Sequence, residues 1–131
     1  FIGGGAGMAP LRAIIRDQLR QNGSGRRVEF WYGARTEEDL FYVDEFNELQ
    51  SQHEQFRWHV VLSGAQANSN WPGLTGFVHD AVRENVLTGD GDYRDFEYFI
   101  CGPPPMLAET RHMLDEYEVP RRQVFFDDFG I

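Results

Sequence analysis

Two short runs near opposite ends of the chain carry the residue types best suited to chemistry: Gly3-Gly4-Gly5-Ala6-Gly7-Met8-Ala9-Pro10 and Cys101-Gly102-Pro103-Pro104-Pro105-Met106. Each closes an apolar stretch and opens a helical one. In the first, glycines remove Cβ atoms where a strand must turn sharply, so backbone N–H groups can approach a pyrophosphate at a helix N-terminus. In the second, a thiol stands at a strand end beside another glycine, which suits close approach by a flat ring. The chain has 14 glycines, so neither run decides anything alone. Together they point to a nucleotide.

The elements around these runs follow from spacing. A first helix is expected near Pro10, which is favoured in a first turn because its missing N–H would have no partner there, and Leu11, Ile14, Ile15 and Leu19 continue it until Asn22-Gly23-Ser24-Gly25. Val28 to Tyr32 reads as a strand, Asp44 to Gln52 as a helix with Phe46 and Leu49 inward, and Trp58 to Leu62 as the next strand. A polar loop follows from Ser63 to Gly73. Thr75-Gly76 is then expected to open a helix carrying Phe77, Val78, Ala81, Val82 and Val86, closed by Thr88 to Asp92. Phe96 to Cys101 reads as a buried strand, Met106 to Tyr117 as a helix, and Val124 to Phe126 as a short final strand. Alternating strands and helices with connections of this length demand parallel pairing. The expectation is an α/β fold: a doubly wound, five-stranded parallel sheet of order 3-2-1-4-5, Rossmann-like, with both glycine-bearing turns at the point where strand order reverses.

Bulk properties narrow the function. The 131 residues amount to about one domain. With 21 acidic against 12 basic residues and a net charge of −9, the chain is poorly suited to a phosphate backbone, so nucleic acid is not an expected partner. One cysteine leaves no internal disulfide and suits a reducing compartment. No apolar run approaches the ~18 residues of a membrane span. His53, His59, His79 and His112 form no recognised metal motif. Only Phe1 and Ile2 precede the glycine turn, which leads to the expectation that residues 1–131 are one domain excised from a longer flavoprotein.

The first run differs from the usual dinucleotide fingerprint by placing Pro10 where a third glycine would stand. Here the chain resembles the ferredoxin–NADP reductase superfamily, whose nucleotide domain carries G-x-G-x-x-P after its first strand and C-G-P after its fourth. The match runs through Phe30-Trp31-Tyr32-Gly33-Ala34-Arg35, Asp39-Leu40-Phe41-Tyr42, Glu45-Phe46 and Asp127-Asp128-Phe129-Gly130. Among subfamilies the pattern is most similar to that of sodium-pumping NADH:quinone reductases.

The resemblance implies an NADH-binding domain that positions NADH for hydride transfer to FAD. Electrons would then pass towards a quinone or an iron–sulfur centre. The pyrophosphate would lie over Gly5, Gly7 and the helix start near Pro10 and the nicotinamide near Cys101 and Gly102, with Gly4, Ala6, Met8, Arg35, Ser63, Pro103 and Met106 as further cofactor-binding residues. Cys101 would help set transfer geometry, and Asp127 and Phe129 would lie beside the flavin as the other catalytic residues. The FAD would be bound by an upstream domain, a 2Fe-2S cluster would sit elsewhere in the parent, and no metal is expected here. Expected partners are NADH, the flavin domain of the same polypeptide and membrane-complex subunits, on the cytoplasmic side. The isolated domain is expected to be inactive. On residues alone Cys101 also fits a small buried core residue, and Asp127 and Phe129 an acidic turn and a core-edge aromatic. Trp71-Pro72-Gly73 either shapes its loop or packs on adenine. Alternatives for the whole are the reductase component of an oxygenase, a non-catalytic nicotinamide-sensing module, and a scaffold domain.

Cofactor preference is argued from departures. Relatives using NADP carry Ser-Arg after the third strand and a later Lys-x-Tyr, where this chain has Ser63-Gly64 and Thr75 with Phe77. Glu37, Glu38 and Asp39 follow the second strand, near the expected ribose, and like charge disfavours a 2′-phosphate. NADH is expected over NADPH, and Gly64→Arg is expected to narrow the gap. Arg35 either meets phosphate or pairs with the acidic run.

Overall fold

The computed structural model describes residues 1–5, 8–20, 25–65, 70–89 and 92–127, the last without its side chain. The elements are β1 (Ile2–Gly4), α1 (Met8–Arg20), β2 (Val28–Ala34), α2 (Val43–Gln52), β3 (Phe56–Leu62), β4 (Leu74–Thr75), α3 (Val78–Val82), β5 (Tyr98–Cys101), α4 (Pro104–Glu116) and β6 (Val124–Asp127). All strand pairs are parallel, in the order β4-β3-β2-β1-β5-β6.

The sheet therefore has six strands where the sequence suggests five. The addition is β4, two exposed residues beside Val61 and Leu62 on the outer edge of β3. Without it the order is the expected 3-2-1-4-5. Two residues carry no periodicity, and the same stretch, Thr75-Gly76, reads as a helix start. The helix instead begins at Val78, because Gly76 at φ 102 first turns the chain while its N–H reaches the Leu62 carbonyl at 3.0 Å. Beyond Val82 it widens into a π turn over Arg83–Leu87. At the other end, α1 begins at Met8, two residues before Pro10, and the proline sits within the first turn, where its missing donor leaves nothing unpaired. The Asn22-Gly23-Ser24 stop and Asp90 lie outside the described residues.

Two apolar layers sandwich the sheet. Leu11, Ile15 and Leu19 of α1 and Phe46 of α2 pack with Phe30, Tyr32 and Phe56 on one face; Val78 and Val82 of α3 and Met113 and Leu114 of α4 pack with Ile2, Trp31 and Ile100 on the other. The central strand β2 sends Phe30 and Tyr32 to the first layer and Trp31 to the second, and all three are buried. This is the signature of a parallel strand covered on both sides, each such side chain contributing roughly 1.5–3 kcal/mol on burial. Gly33 belongs to this packing, since a Cβ there would lie 2.9 Å from the Cβ of Val78.

β1 lies between β2 and β5, with α1 crossing one face and α3 and α4 covering the other. That reversal leaves a crevice at the carboxyl ends of the strands. Gly3 stands abreast of Tyr32 and Cys101, and Cys101 abreast of Asp127, so both sequence motifs and the last strand end in one row.

Candidate nucleotide cleft

A cleft of about 790 Å³ opens along these strand ends. Its floor is Gly4 and Gly5, the Gly33-Ala34-Arg35 end of β2 and Ser63 after β3; the start of α1 and the Pro103–Met106 start of α4 close the β1–β5 side. Gly5 adopts φ 55, a left-handed turn that glycine takes without steric cost. A Cβ on Gly4 would sit 2.6 Å from Met106 Sδ and 3.5 Å from the Gly33 carbonyl, and a Cβ on Gly102 also 2.6 Å from that sulfur. The two glycines thus keep the strand ends bare, and one flexible thioether lies over both.

Of the sequence candidates, Gly4, Gly5, Met8, Arg35, Ser63, Pro103 and Met106 come together on the cleft wall. Pro10 serves the first turn of α1 and does not line it. Cys101 closes β5 at the same level, but its side chain is 2% exposed and packs with Met8 and Leu11 beneath α1; Gly102, half-buried, is the residue beside the sulfur of Met106. Ala6, Gly7 and Phe129 lie outside the described residues, as does the side chain of Asp127, whose backbone ends β6 next to Cys101.

The β2–β3 side of the cleft is built from charge and aromatic rings. Ser63 N–H donates to the Ala34 carbonyl at 2.9 Å and Gly64 N–H to the Arg35 carbonyl at 2.8 Å, which ties the two strand ends together. A Cβ on Gly64 would lie 2.8 Å from that same Arg35 oxygen. No side chain fits there without moving the backbone, so Gly64→Arg is not the clean charge insertion the sequence suggests. Glu38 and Asp39 line the wall, while Glu37 does not. The Asp39 carboxylate accepts from the Thr36 N–H at 3.2 Å and hydroxyl at 3.0 Å, closing a single 3₁₀ turn over Glu37–Asp39. Its orientation is thereby fixed and Glu38 is left facing the cleft. Arg35 makes no ion pair with this acidic run among the described residues.

Sequence reasoning missed the aromatic part of this wall. Phe41, Tyr42 and Phe77 are 57%, 45% and 63% exposed, and all three line the cleft. Apolar rings left in water next to a concavity mark a binding surface. For Phe41 and Tyr42 the available signal was a pair of large aromatics between elements, off any helix or strand period; Phe77 was read as part of the following helix, which begins one residue later. Trp71, by contrast, turns its ring onto Gly73 and donates Nε1–H to the Leu74 carbonyl at 2.9 Å, so it shapes the loop and does not line the cleft.

Known proteins share this sequence pattern and fold. Residues 1–112 match the family described as the oxidoreductase NAD-binding domain. Over 130 residues, 99% of the chain and 32% of the relative, the sequence is 48% identical to the F subunit of the Na+-translocating NADH-quinone reductase of Yersinia enterocolitica. The corresponding protein of Pseudomonas aeruginosa is also 48% identical over the same shares. Among solved structures, a cytochrome P450 reductase of Amycolatopsis superposes with a TM-score of 0.83 at 31% identity, covering 98% of this chain and 36% of that one. The ferredoxin reductase in carbazole 1,9a-dioxygenase gives 0.79 at 32% identity, covering 98% and 36%. The chain spans about a third of the length of the curated relatives it matches.

Proposed function

The chain belongs to the oxidoreductase NAD-binding domain family, and from that membership we propose that it holds NADH across the strand ends and presents it for hydride transfer to a flavin. The observation that carries the reading is the single cleft in which Gly4 and Gly5, the start of α1, Glu38 and the Pro103–Met106 turn converge. The pyrophosphate lies over Gly4 and Gly5, which carry no side chain of their own and above which the flexible Met106 thioether can give way; the adenosine lies toward Glu38, Phe41 and Phe77; the nicotinamide lies toward Gly102 and Met106. Ala6, Gly7 and Met8 are assigned to the same pyrophosphate turn.

FAD, held by another domain of the longer parent, supplies the hydride acceptor. This chain's residues bind and orient: hydride transfer gains most from a fixed distance and angle between reacting atoms, and bare backbone at the nicotinamide end permits that approach. Cys101, at the end of β5, and Asp127 and Phe129 are proposed to border the nicotinamide and the flavin. An iron–sulfur cluster in the parent and docking to membrane-complex subunits belong to the same proposal. Alone, the chain binds nucleotide and turns nothing over.

NADH is preferred to NADPH because Glu38 faces the adenosine side and Gly64 has no room for a phosphate-binding side chain. Calorimetric titration with both nucleotides tests this, and tighter NADPH binding would overturn it. The quinone-directed reading rests on the 48% identity to NADH-quinone reductase subunits. The 31–32% identity to oxygenase-linked reductases favours a second acceptor class. Steady-state turnover of the parent with a quinone against a ferredoxin-type acceptor separates the two.

A further inference from the structure

Tyr42 breaks two local rules at once. It is the N-cap of α2, a position that favours Ser, Thr, Asp or Asn in extended backbone, yet it is a tyrosine at φ 61 and ψ 28. Left-handed backbone costs a bulky residue free energy, and such outliers persist where surrounding contacts hold them. Here the holding contacts are visible. The carbonyl of Tyr42 accepts the first helical hydrogen bond of α2 from the Phe46 N–H at 3.0 Å. The guanidinium carbon of Arg12, from α1, lies 4.5 Å from the centre of the Tyr42 ring. Arg12 is in turn gripped through two nitrogens by the Glu45 carboxylate of α2, at 2.8 Å for one and closer for the other, and Arg16 joins the same carboxylate. With its edge on Glu45 and its face on the ring, Arg12 is committed to the protein, and it does not line the cleft. Tyr42 does, beside Glu38, Asp39 and Phe41, with 45% of its surface exposed.

We infer that Tyr42 is a nucleotide-contacting residue of the adenosine half of the cleft and that the Arg12–Glu45 pair is the positioning device that keeps it there. This rests on the reading of the cleft as the NADH site. The geometry also separates the roles: the ring touches the ligand, whereas the ion pair acts only through the ring.

The test is NADH titration and thermal melting of the chain and of Tyr42→Gly, Arg12→Met and their combination. Tyr42→Gly relieves the left-handed strain, so its melting temperature stays level or rises while its Kd for NADH increases about tenfold. A merely structural tyrosine gives unchanged affinity, which overturns the inference. Arg12→Met keeps a long apolar stem on a helix that tolerates it, and is expected to weaken NADH about three- to tenfold. In the Tyr42→Gly background it should add nothing, because its effect passes through the ring. Additive losses would assign Arg12 a contact of its own and overturn the positioning role. If the unmodified chain binds neither NADH nor NADPH, the reading of the cleft itself fails, and this inference with it.

Discussion

At the β1–β5 end of the cleft the strand ends carry no side chains, and Met8, Pro103 and Met106 close the side with apolar groups; at the β2–β3 end the wall holds charge and rings, with Glu38, Phe41, Tyr42 and Phe77 standing in solvent. The first end is built for close approach and has little with which to choose a ligand. The second has charge and ring faces and so can discriminate. This division suits a nucleotide whose reactive ring must come within a fixed distance of a second cofactor while its distant half supplies affinity and selectivity. Substitutions at the two ends should therefore fail in different ways.

The largest effect is expected at the bare end. Gly4→Val places a branched side chain where a single Cβ already meets Met106 Sδ at 2.6 Å and approaches Pro103 Cδ at 3.8 Å, so the crevice floor is filled. NADH binding should fall by about 100-fold or more, roughly 2.7 kcal/mol, in a chain that still melts cooperatively. Retained affinity would mean the pyrophosphate does not cross Gly4.

Cys101→Ala comes next, and in the intact parent it should slow flavin reduction about tenfold while changing the NADH Kd less than about twofold. The thiol is buried beneath α1 at the end of β5, so its loss shifts the strand end proposed to border the nicotinamide and leaves the β2–β3 wall untouched. Stopped-flow reduction at saturating NADH isolates the step. A raised Kd at an unchanged rate would make Cys101 a packing residue only.

What the sequence revealed divides along the same line. The glycine run and Cys-Gly-Pro were legible because backbone geometry favours glycine there: Gly5 takes φ 55, and Gly4 and Gly102 both lie against the Met106 thioether. The double winding was legible because strands and helices alternate and the connections between strands are long enough for helical crossovers. On the β2–β3 wall Arg35, Ser63 and the acids Glu38 and Asp39 were legible, and the aromatic rings were not. Arg12 and Glu45 are 33 residues apart, and nothing local announces their pairing. Tyr42 contradicts the preferences from which a helix start is read, and β4 is too short to carry a pattern.

At the discriminating end, Glu38→Gln should narrow the preference for NADH over NADPH several-fold, since one partly screened charge beside a 2′-phosphate is worth about 1 kcal/mol in a water-exposed cleft. NADH affinity itself should change less. If the ratio does not move while Gly4→Val still abolishes binding, the adenosine lies elsewhere along the wall.

The smallest effect belongs to neither end and serves as the control. His59 sits mid-strand in β3, its ring stacked on Trp31 at 4.0 Å between centres, with Nε2 buried and without a partner among the described residues. Burial is the largest cause holding its pKa below the usual 6.5, opposed by Glu29 and reinforced by Arg57. A depressed pKa means the unfolded chain takes up a proton near pH 6.5 while the folded chain does not, so the contribution of neutral His59 is complete above that pH and is lost as pH falls towards the folded value. The melting temperature should therefore drop by a few degrees between about pH 7.5 and 5.5, and His59→Phe, which keeps the stack and removes the titration, should flatten that part of the curve. NADH affinity measured at the same pH values should not follow it, because His59 lines neither end of the cleft. An affinity that tracks the melting curve in the native chain, and stops doing so in His59→Phe, would show that the sheet beneath the cleft and the cleft itself are not separable.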